Sequence, residues 1–556
     1  MFNSSGAYKR AGMAMAIILL IILVVVPLLF ILLTSIFPKG VMDFSSLLMV
    51  FSDAGLREVF WKTMLMGACV VAGTTLVSFP LAWILAKTDL RKHGWLDAVL
   101  LVPFMTPPYI CSMGWILFMQ RNGYLEQLIP ASAGLSASFF SLFGMVVIMS
   151  LQMFPFLYLI FKNALLQIGG SKEDAAMVHG AGFLYMFRKV IIPLLLSSYA
   201  SGALLIFVKT ISEFGTPITF GRRIGYFVMA TEIHKYISSW PIDFGKATSL
   251  SSVLLSACLV MWYASSVIGR RFNFNLVGGK ASKLKTYTLK KWQRLLAWFY
   301  ILALLFVSIA IPYISIITAS LMKLRSGGLQ WGNFTLAHYA KLLSWGSASM
   351  EALLNSLSLA VVSSTLAVIL GTAFALAIKK SGTWPQRVTD LFSLLPNTVP
   401  GIVMVVGLIL VWNSPWMPVP IYNTYWMVVL TYVVFFLPYT VQYVKTNYGQ
   451  IDESLFHAGS VFGGREPYIL RRIVVPLLAS GMLAGWMMTF TISFRELVAS
   501  LMILPPSMRT TATYIYSEFE QGNLSLGMAM AVISVVFNLL MLLCISRIGS
   551  IRKFDA

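Results

Sequence analysis

Long apolar stretches alternate with short polar segments along the chain, and this pattern predicts membrane-spanning helices. A helix that crosses the hydrocarbon core of a bilayer needs about 20 apolar residues. The first such stretch is too long for the core of a signal peptide, so we interpret it as a span. The twelve predicted spans are residues 12–36, 62–86, 95–119, 140–162, 193–212, 247–268, 292–320, 353–378, 388–412, 424–445, 476–500 and 524–546.

A basic stretch at 270–294 divides the spans into six and six. It contains eight lysines and arginines in total, two before Gly278 and Gly279 and six after them. Because six is even, both halves enter the membrane in the same direction, which predicts a pseudo-two-fold axis along the membrane normal. We therefore predict an all-α integral membrane protein with two pseudo-symmetric six-helix halves. The first half is 1–269, the cytoplasmic linker is 270–294 and the second half is 295–556.

The two halves repeat one another in sequence. Segment 167–193 aligns without a gap to 450–476, where each residue number is 283 higher. Prolines inside the third span of each half also match, at a separation of 293: Pro103 with Pro396 and Pro107 with Pro400, followed by Gly114 with Gly407. The ten-residue difference indicates an insertion near 122–138, in an outer loop. Proline kinks a helix, so these positions predict either a hinge or a fixed bend.

The repeated segments predict short helices at the inner face of the membrane. In the first, Ser171 and Asp174 have capping-box spacing, and a helical run from Asp174 is ended by Gly180 and Gly182. The small residues Ala175 and Ala176 would allow a partner surface to approach closely.

In the second repeated segment, the equivalent small and glycine residues are Ala458, Gly459, Gly463 and Gly464. The leading acid is replaced by His457, while Asp452 and Glu453 lie upstream and out of register. We expect the two segments to share a glycine framework without being identical contacts.

Charge supports this arrangement. Hydrophobic residues make up 58% of the chain and charged residues 11%, with a net charge of +21. If the N-terminus is inside, most of the basic excess falls in the inner segments, as expected for a membrane protein. The charge therefore does not require nucleic acid as a partner. It also predicts that both termini are cytoplasmic.

The segment that begins at Asp174 resembles the "EAA" signature of ABC-importer permeases, which has an acid, two small residues, a glycine and a downstream proline. Here the proline is Pro193, or Pro476 in the second copy. In that family, the segment forms a coupling helix that docks on an ATPase subunit. The resemblance thus implies type I ABC permease halves whose ATPase-coupling residues are those named above.

The whole chain resembles a fused permease of the ferric-iron type, a family with relatives for phosphonates, thiamine, polyamines and sugar phosphates. The segments SEFGTP (212–217) and RELVASL (495–501) carry the likeness after each coupling loop. The resemblance implies two copies of an ATPase subunit, an extracytoplasmic solute-binding protein and a bacterial cytoplasmic membrane. The sequence contains no P-loop. We therefore expect the chain not to be an enzyme and to hold no cofactor, with ATP and Mg²⁺ bound by the partner subunit.

Four charged residues are candidates for the translocation path. Glu213 and Glu496 each lie 20 residues after a loop proline, a distance of about 30 Å along a helix, near the outer mouth. Lys209 and Arg495 are close to them. The acids would suit a hard cation such as Fe³⁺, and the basic residues would suit a phosphate-bearing solute. A structural ion pair between Lys209 and Glu213 is the alternative, and no confident metal ligand emerges.

Two other classes of protein remain open at this stage. An ion-driven secondary transporter would need acids or a proton relay near the bilayer midplane, and the spans offer almost none. A membrane-embedded enzyme would need a catalytic cluster, and none is visible in the sequence. The leading hypothesis is a permease subunit of an ATP-driven importer, with ferric iron as the leading substrate.

Overall fold

The computed structural model describes residues 13–37, 40–168, 174, 177–271, 286–378, 384–415, 417 and 420–551. Within these residues, ten helices are long and apolar enough to cross a membrane, and two bent helix pairs raise the number to twelve if each pair is one span. The spanning helices, bent pairs and one loop helix are α1 (Met13–Ile36), α2 (Ala54–Lys87), α3 (Trp95–Met105), α4 (Pro108–Leu128), α5 (Leu142–Gln167), α6 (Phe183–Ile211), α7 (Phe244–Ile268), α8 (Lys291–Leu321), α9 (Ala348–Ala377), α10 (Trp384–Asn397), α11 (Gly401–Trp412), α12 (Tyr425–Tyr448), α13 (Glu453–Val461), α14 (Leu470–Ser493) and α15 (Leu524–Met541). The prediction of an all-α membrane fold is confirmed.

The predicted spans 95–119 and 388–412 are not straight helices. The chain bends by 87° between α3 and α4 and by 108° between α10 and α11. Pro107 and Pro400 lie at the two breaks in nearly the same extended conformation, with φ, ψ of −56°, 131° and −57°, 132°. Proline fixes φ and removes a backbone donor, so a helix readily ends before it and a new one begins after it. The repeated prolines therefore mark sharp bends.

Other prolines lie inside long helices without breaking them, and four of these follow a π-helical turn. Each of Pro27, Pro193, Pro312 and Pro476 is the second residue after a π-helical turn. A proline cannot donate its backbone hydrogen bond, and a wider π turn rearranges the neighbouring bonds so that the helix continues. The four turns form two matched pairs: one pair lies early in the two sequence halves, and the other lies near the ends of the two repeated segments. They are Ile21–Val25, Phe187–Ile191, Phe306–Ala310 and Leu470–Val474.

The chain forms two compact units. One unit consists of Met1–Met49, Ile233–Leu255 and Thr335–Ala556, and the other of Val50–Glu232 and Ser256–Phe334. In the first unit α1 packs against α11, and in the second α8 packs against α4. Each unit thus contains the first helix of one sequence half and the bent pair of the other, so the units interleave the two halves of the sequence.

Small residues allow close packing within both units. In one unit, the Ser78 hydroxyl on α2 donates to the Phe154 carbonyl on α5 at 3.0 Å. In the other, the Thr440 hydroxyl on α12 donates to the Ala367 carbonyl on α9 at 3.0 Å, and Gly371 lies against the same threonine. Interhelical hydrogen bonds and small side chains are the usual means by which membrane helices associate. These contacts hold the helices that lead into each repeated segment.

Candidate coupling loops and translocation residues

The first repeated segment is a helical turn ended by a glycine. Asp174, Met177 and Val178 are helical, and the Gly180 amide donates to the Met177 carbonyl at 2.9 Å. Gly182 then precedes the first turn of α6, and its carbonyl accepts from the Met186 amide at 3.0 Å. The predicted cap at Ser171 and the small residues Ala175 and Ala176 lie outside the described residues.

The second repeated segment contains the helix α13. The Asp452 carboxylate accepts from the Ser454 amide at 2.8 Å and caps the start of this helix. This gives the out-of-register acid a local structural role, because a cap satisfies an amide that the first turn leaves unpaired. At the end of α13, the Gly463 amide donates to the Ser460 carbonyl at 3.0 Å and the Gly464 amide donates to the Gly459 carbonyl at 2.9 Å.

Gly180 and Gly463 occupy equivalent positions and have the same backbone conformation. Their φ angles are +80° and +77°, and each amide bonds to the carbonyl three residues earlier. Residues other than glycine rarely adopt a positive φ, because the Cβ atom meets the backbone. Apart from the glycine itself and its two chain neighbours, a Cβ atom at either position would meet nothing within 4 Å. The requirement for glycine is therefore one of conformation, and both loops meet it.

Both loops also expose apolar side chains at equivalent positions. Val178 is 84% exposed and Val461 is 83% exposed, and Phe462 beside the second is 90% exposed. Exposed apolar groups on a polar loop favour a site of protein contact. Ala458 is exposed on the same helix as Val461, which leaves room for a partner to approach.

Beneath α13, apolar packing ties the loop to three spanning helices. Phe456 packs against a buried cluster formed by residues of α9, α12, α14 and the turn before α14. The buried members are Ala375, Val444, Ile469, Val474 and Leu478. Gly459 contributes by its size, since a Cβ atom there would lie 3.1 Å from both Ile469 and Ile473. The second loop is thus attached firmly to the helices on either side of it.

The first loop is supported by aromatic residues, including one from the linker. Tyr287 stacks on Trp83 of α2 at 6.2 Å between ring centroids, and it meets Phe183 of α6 edge to face at 6.0 Å. Its amide donates to the Lys87 carbonyl at 2.7 Å, and its carbonyl accepts from the Asp89 amide at 3.2 Å. The described end of the predicted linker therefore contacts α2 and the start of α6, beside the first candidate coupling loop.

A buried lysine also marks the entry to the first loop. Lys87 is fully buried at the end of α2, and its Nζ donates to the Ile168 carbonyl at 2.9 Å. Ile168 directly follows the last residue of α5. A charge-assisted bond to a free carbonyl at a helix C-terminus is favourable for both groups.

The two candidate acids have equivalent backbone partners. The Glu213 carboxylate accepts from the amides of Gly215, at 2.7 Å, and Thr216, at 3.0 Å. The Glu496 carboxylate accepts from the amides of Val498, at 2.8 Å, and Ala499, at 3.1 Å. Each acid lies just beyond the end of α6 or α14 and caps the turn that follows it.

Lys209 and Arg495 lie beside these acids in sequence and are half-buried, as the acids are. Lys209 is on the last turn of α6, and Arg495 directly precedes Glu496. Gly215 brings the first site close to α4, since a Cβ atom there would lie 3.0 Å from the Tyr109 amide. No group of three or more histidine, cysteine, aspartate or glutamate side chains suited to a metal ion occurs among the residues that the structure describes.

The structure shows charged contacts that the sequence reasoning missed. The carboxylate of Asp97 on α3 pairs with Lys162 of α5, and that of Asp390 on α10 pairs with Lys445 of α12. The acids are separated by 293 positions and the lysines by 283, the same separations that relate the prolines and the repeated loops. A search for charged residues that recur at both separations would have found them.

Comparison with known proteins agrees with this architecture. The family model for the binding-protein-dependent transport system inner membrane component matches residues 78–277 and again residues 365–549. The two matches together cover more than half of the chain, and each contains one candidate coupling loop, one bent pair and one candidate acid.

Individual relatives match one or both halves. The ferric transport system permease protein FbpB of Actinobacillus pleuropneumoniae is 25% identical over 447 residues, which cover 78% of this chain and 63% of that protein. The Fe(3+)-transport system permease protein FbpB 2 of Haemophilus influenzae is 21% identical over 488 residues, 87% of this chain and 88% of that protein. A Salmonella typhi protein named provisionally as a 2-aminoethylphosphonate transport system permease is 27% identical over 247 residues, 44% of this chain and 92% of its own length.

The family model matches the chain twice, in agreement with the repetition in its sequence. The chain is a multi-pass membrane protein that belongs to the binding-protein-dependent transport system inner membrane component family.

Proposed function

We propose that this chain is the transmembrane permease subunit of an ATP-driven importer in a bacterial cytoplasmic membrane, with both termini on the cytoplasmic side. Two copies of an ATPase subunit would bind the two coupling loops, and ATP and Mg²⁺ would be held by that partner. A solute-binding protein would deliver substrate to the outer face. The chain itself contributes the path and the coupling contacts, and no catalysis.

The observation that carries this proposal is the equivalence of the two loops. Gly180 and Gly463 share a left-handed conformation, and Val178 and Val461 next to the turns are exposed to the same extent. Two equivalent apolar contacts on one chain fit a partner present in two copies, because identical surfaces bind identical partners. A single regulatory partner would need one such contact.

Ferric iron is the proposed substrate. Relatives that align across both halves include two proteins named for ferric transport. Glu213 and Glu496 supply carboxylate oxygens near the ends of α6 and α14, and hard cations prefer oxygen ligands. A phosphonate is the second candidate. A relative named for 2-aminoethylphosphonate transport matches 44% of this chain, and a basic residue, Lys209 or Arg495, lies close in sequence to each acid.

Reconstitution tests the proposal directly. The chain, the ATPase subunit that co-purifies with it and the matching binding protein are placed in proteoliposomes, and uptake of radioactive Fe³⁺ is measured with and without Mg-ATP. We expect uptake that depends on ATP and on the binding protein. Labelled 2-aminoethylphosphonate is offered in a parallel assay, and uptake of that label without iron uptake would reassign the substrate. Solute uptake unaffected by removal of the ATPase would contradict the importer proposal.

A charge placed in each loop tests the docking sites. Replacing Val178 or Val461 with aspartate is expected to weaken ATPase binding about tenfold or more, equivalent to about 1.4 kcal/mol. Leu336→Asp is the matched control, because Leu336 is also apolar and 70% exposed but lies outside both loops. Normal ATPase binding by both loop variants would exclude these positions from the contact.

A further inference from the structure

An ion pair links α3, the first helix of the first bent pair, to α5, the helix that leads into the first coupling loop. The Lys162 Nζ lies 2.6 Å and 2.5 Å from the two carboxylate oxygens of Asp97. The Tyr158 hydroxyl, one turn earlier on α5, donates to the same carboxylate. Lys162 is 13% exposed and Asp97 is 35% exposed. The pair is therefore largely withdrawn from water and has a third polar group to orient it.

The second half contains the equivalent pair. The Lys445 Nζ on α12 lies 2.6 Å from a carboxylate oxygen of Asp390 on α10. Position for position, Asp390 corresponds to Asp97 and Lys445 to Lys162, at the separations that relate the bend prolines and the coupling loops. The tyrosine is replaced by Val441, so the shared feature is the charge pair itself.

Stability alone is a weak reason for charges at these positions. Partly exposed ion pairs contribute about 0–1 kcal/mol, and charged side chains near a lipid core are costly unless they are paired. An apolar contact between the same helices would avoid that cost. The recurrence of a charge pair at matched places in both halves indicates a use that apolar packing does not supply.

The location of the pairs suggests that use. Lys162 lies five residues before the end of α5, and Lys445 lies three residues before the end of α12. The coupling loops begin directly after these helices. Asp97 and Asp390 belong to α3 and α10, the helices that end at the 87° and 108° bends. Each pair thus joins the helix that a coupling loop would move to one limb of a bent pair.

We propose that the pairs Asp97–Lys162 and Asp390–Lys445 are positioning contacts that transmit movement of each coupling loop to the bent helix pair in the same half. This rests on the proposed importer function. An ion pair suits the task because it holds two helix ends together while allowing them to rotate about one another. Interdigitated apolar side chains resist such rotation.

Charge exchange tests the proposal in the full complex in proteoliposomes. Two quantities are measured. One is the transport ratio, defined as iron transported per ATP hydrolysed, and the other is the affinity of the complex for the ATPase subunit. Asp97→Asn, Lys162→Gln, Asp390→Asn and Lys445→Gln are each expected to lower the transport ratio about tenfold or more, a loss of about 1.4 kcal/mol of coupling. ATPase binding and basal hydrolysis are expected to continue. The exchanged variants D97K/K162D and D390K/K445D are expected to restore most of the ratio, as a direct charge contact requires.

Lys246→Gln is the control, because Lys246 makes a 3.8 Å ion pair with Asp243 at the start of α7 and lies outside both bent pairs and both coupling loops. Unchanged transport ratios in the four single variants would overturn the proposal. Thermal unfolding separates folding from coupling: if the exchanged variants regain the unfolding temperature but not the transport ratio, the pairs are structural and the proposal fails. Failure of the importer function itself is recognised separately, as wild-type complex that shows no ATP-dependent uptake.

Discussion

Gly407 of α11 lies directly against the main chain of Pro27 in α1. A Cβ atom at Gly407 would be 2.6 Å from the Pro27 carbonyl oxygen, and one at Gly114 of α4 would be 2.7 Å from the carbonyl oxygen of Pro312 in α8. Both glycines follow a bend proline and both prolines follow a π turn. The same glycine–proline contact thus joins the first helix of one sequence half to the bent pair of the other in each compact unit.

This contact leads to a stability prediction. Gly407→Val and Gly114→Val are expected to destabilise the chain by about 2 kcal/mol or more, because the clash is with backbone atoms that cannot change rotamer. The measurement is the unfolding temperature in detergent. Gly94→Val is the control, since a Cβ atom at Gly94 would meet nothing within 4 Å. Equal unfolding temperatures for all three variants would show that the helices do not pack this closely.

The left-handed glycines of the coupling loops lead to a prediction about conformation. Gly463→Val is expected to weaken ATPase binding, because a β-branched residue at positive φ costs about 1–2 kcal/mol and redirects the exposed residues beside it. Gly463→Asn is expected to bind nearly as the wild type, since asparagine tolerates this region. Gly180 should behave in the same way. The measurement is the dissociation constant of the purified ATPase subunit.

The opposite order at Gly463, with valine tolerated and asparagine not, would contradict the conformational argument. A Cβ atom there meets nothing within 4 Å, so simple crowding inside this chain cannot explain a loss.

Two substitutions of Glu496 distinguish its structural role as a helix cap from a role in the translocation path. Glu496→Gln retains an oxygen that can accept from Val498 and Ala499, so we expect an unchanged unfolding temperature. Glu496→Ala leaves both amides unpaired and should lose about 1 kcal/mol. If the charge serves the substrate, iron uptake falls in the glutamine variant although the fold is intact.

Glu351→Gln is a matched control for the charge change, because Glu351 lies exposed on the first turn of α9. Full uptake by Glu496→Gln would assign this acid to capping alone. The same pair of substitutions at Glu213 provides a second, independent measurement.

The stacking of Tyr287 predicts that the linker stabilises the first coupling region. Tyr287→Ala removes the ring that contacts Trp83 and Phe183, and aromatic pairs contribute about 1 kcal/mol each. We expect a lower unfolding temperature and faster proteolysis near the first loop. Tyr287→Phe keeps the ring and should resemble the wild type. Equal loss in both variants would assign the effect to the hydroxyl group.

Much of this architecture can be predicted from the sequence, because it depends on local composition. Apolar length identifies the membrane helices, and the repeated glycines at 180 and 463 predict where each loop helix ends. These features arise from requirements that each segment meets alone: hydrogen bonds satisfied within the helix, apolar length and a permitted φ angle.

Other features were beyond sequence reasoning because they depend on distant segments. The repeated prolines predict a hinge or bend, but the angles of 87° and 108° depend on what the limbs pack against. The acids Glu213 and Glu496 could be predicted as paired sites, while their role as caps required the backbone of the following turn.

The sequence by itself determined that the chain is a duplicated, all-helical membrane protein with two loops of one design. Only the tertiary structure decided that α1 packs with α11 and α8 with α4, and that Asp97 and Asp390 find their lysines on α5 and α12. The physical reason is that apolar periodicity specifies which residues leave water, whereas lipid-facing and helix-facing surfaces are almost equally apolar. Which helices pack together is determined by close contact at small residues and by the few buried charges. Both depend on the folded backbone.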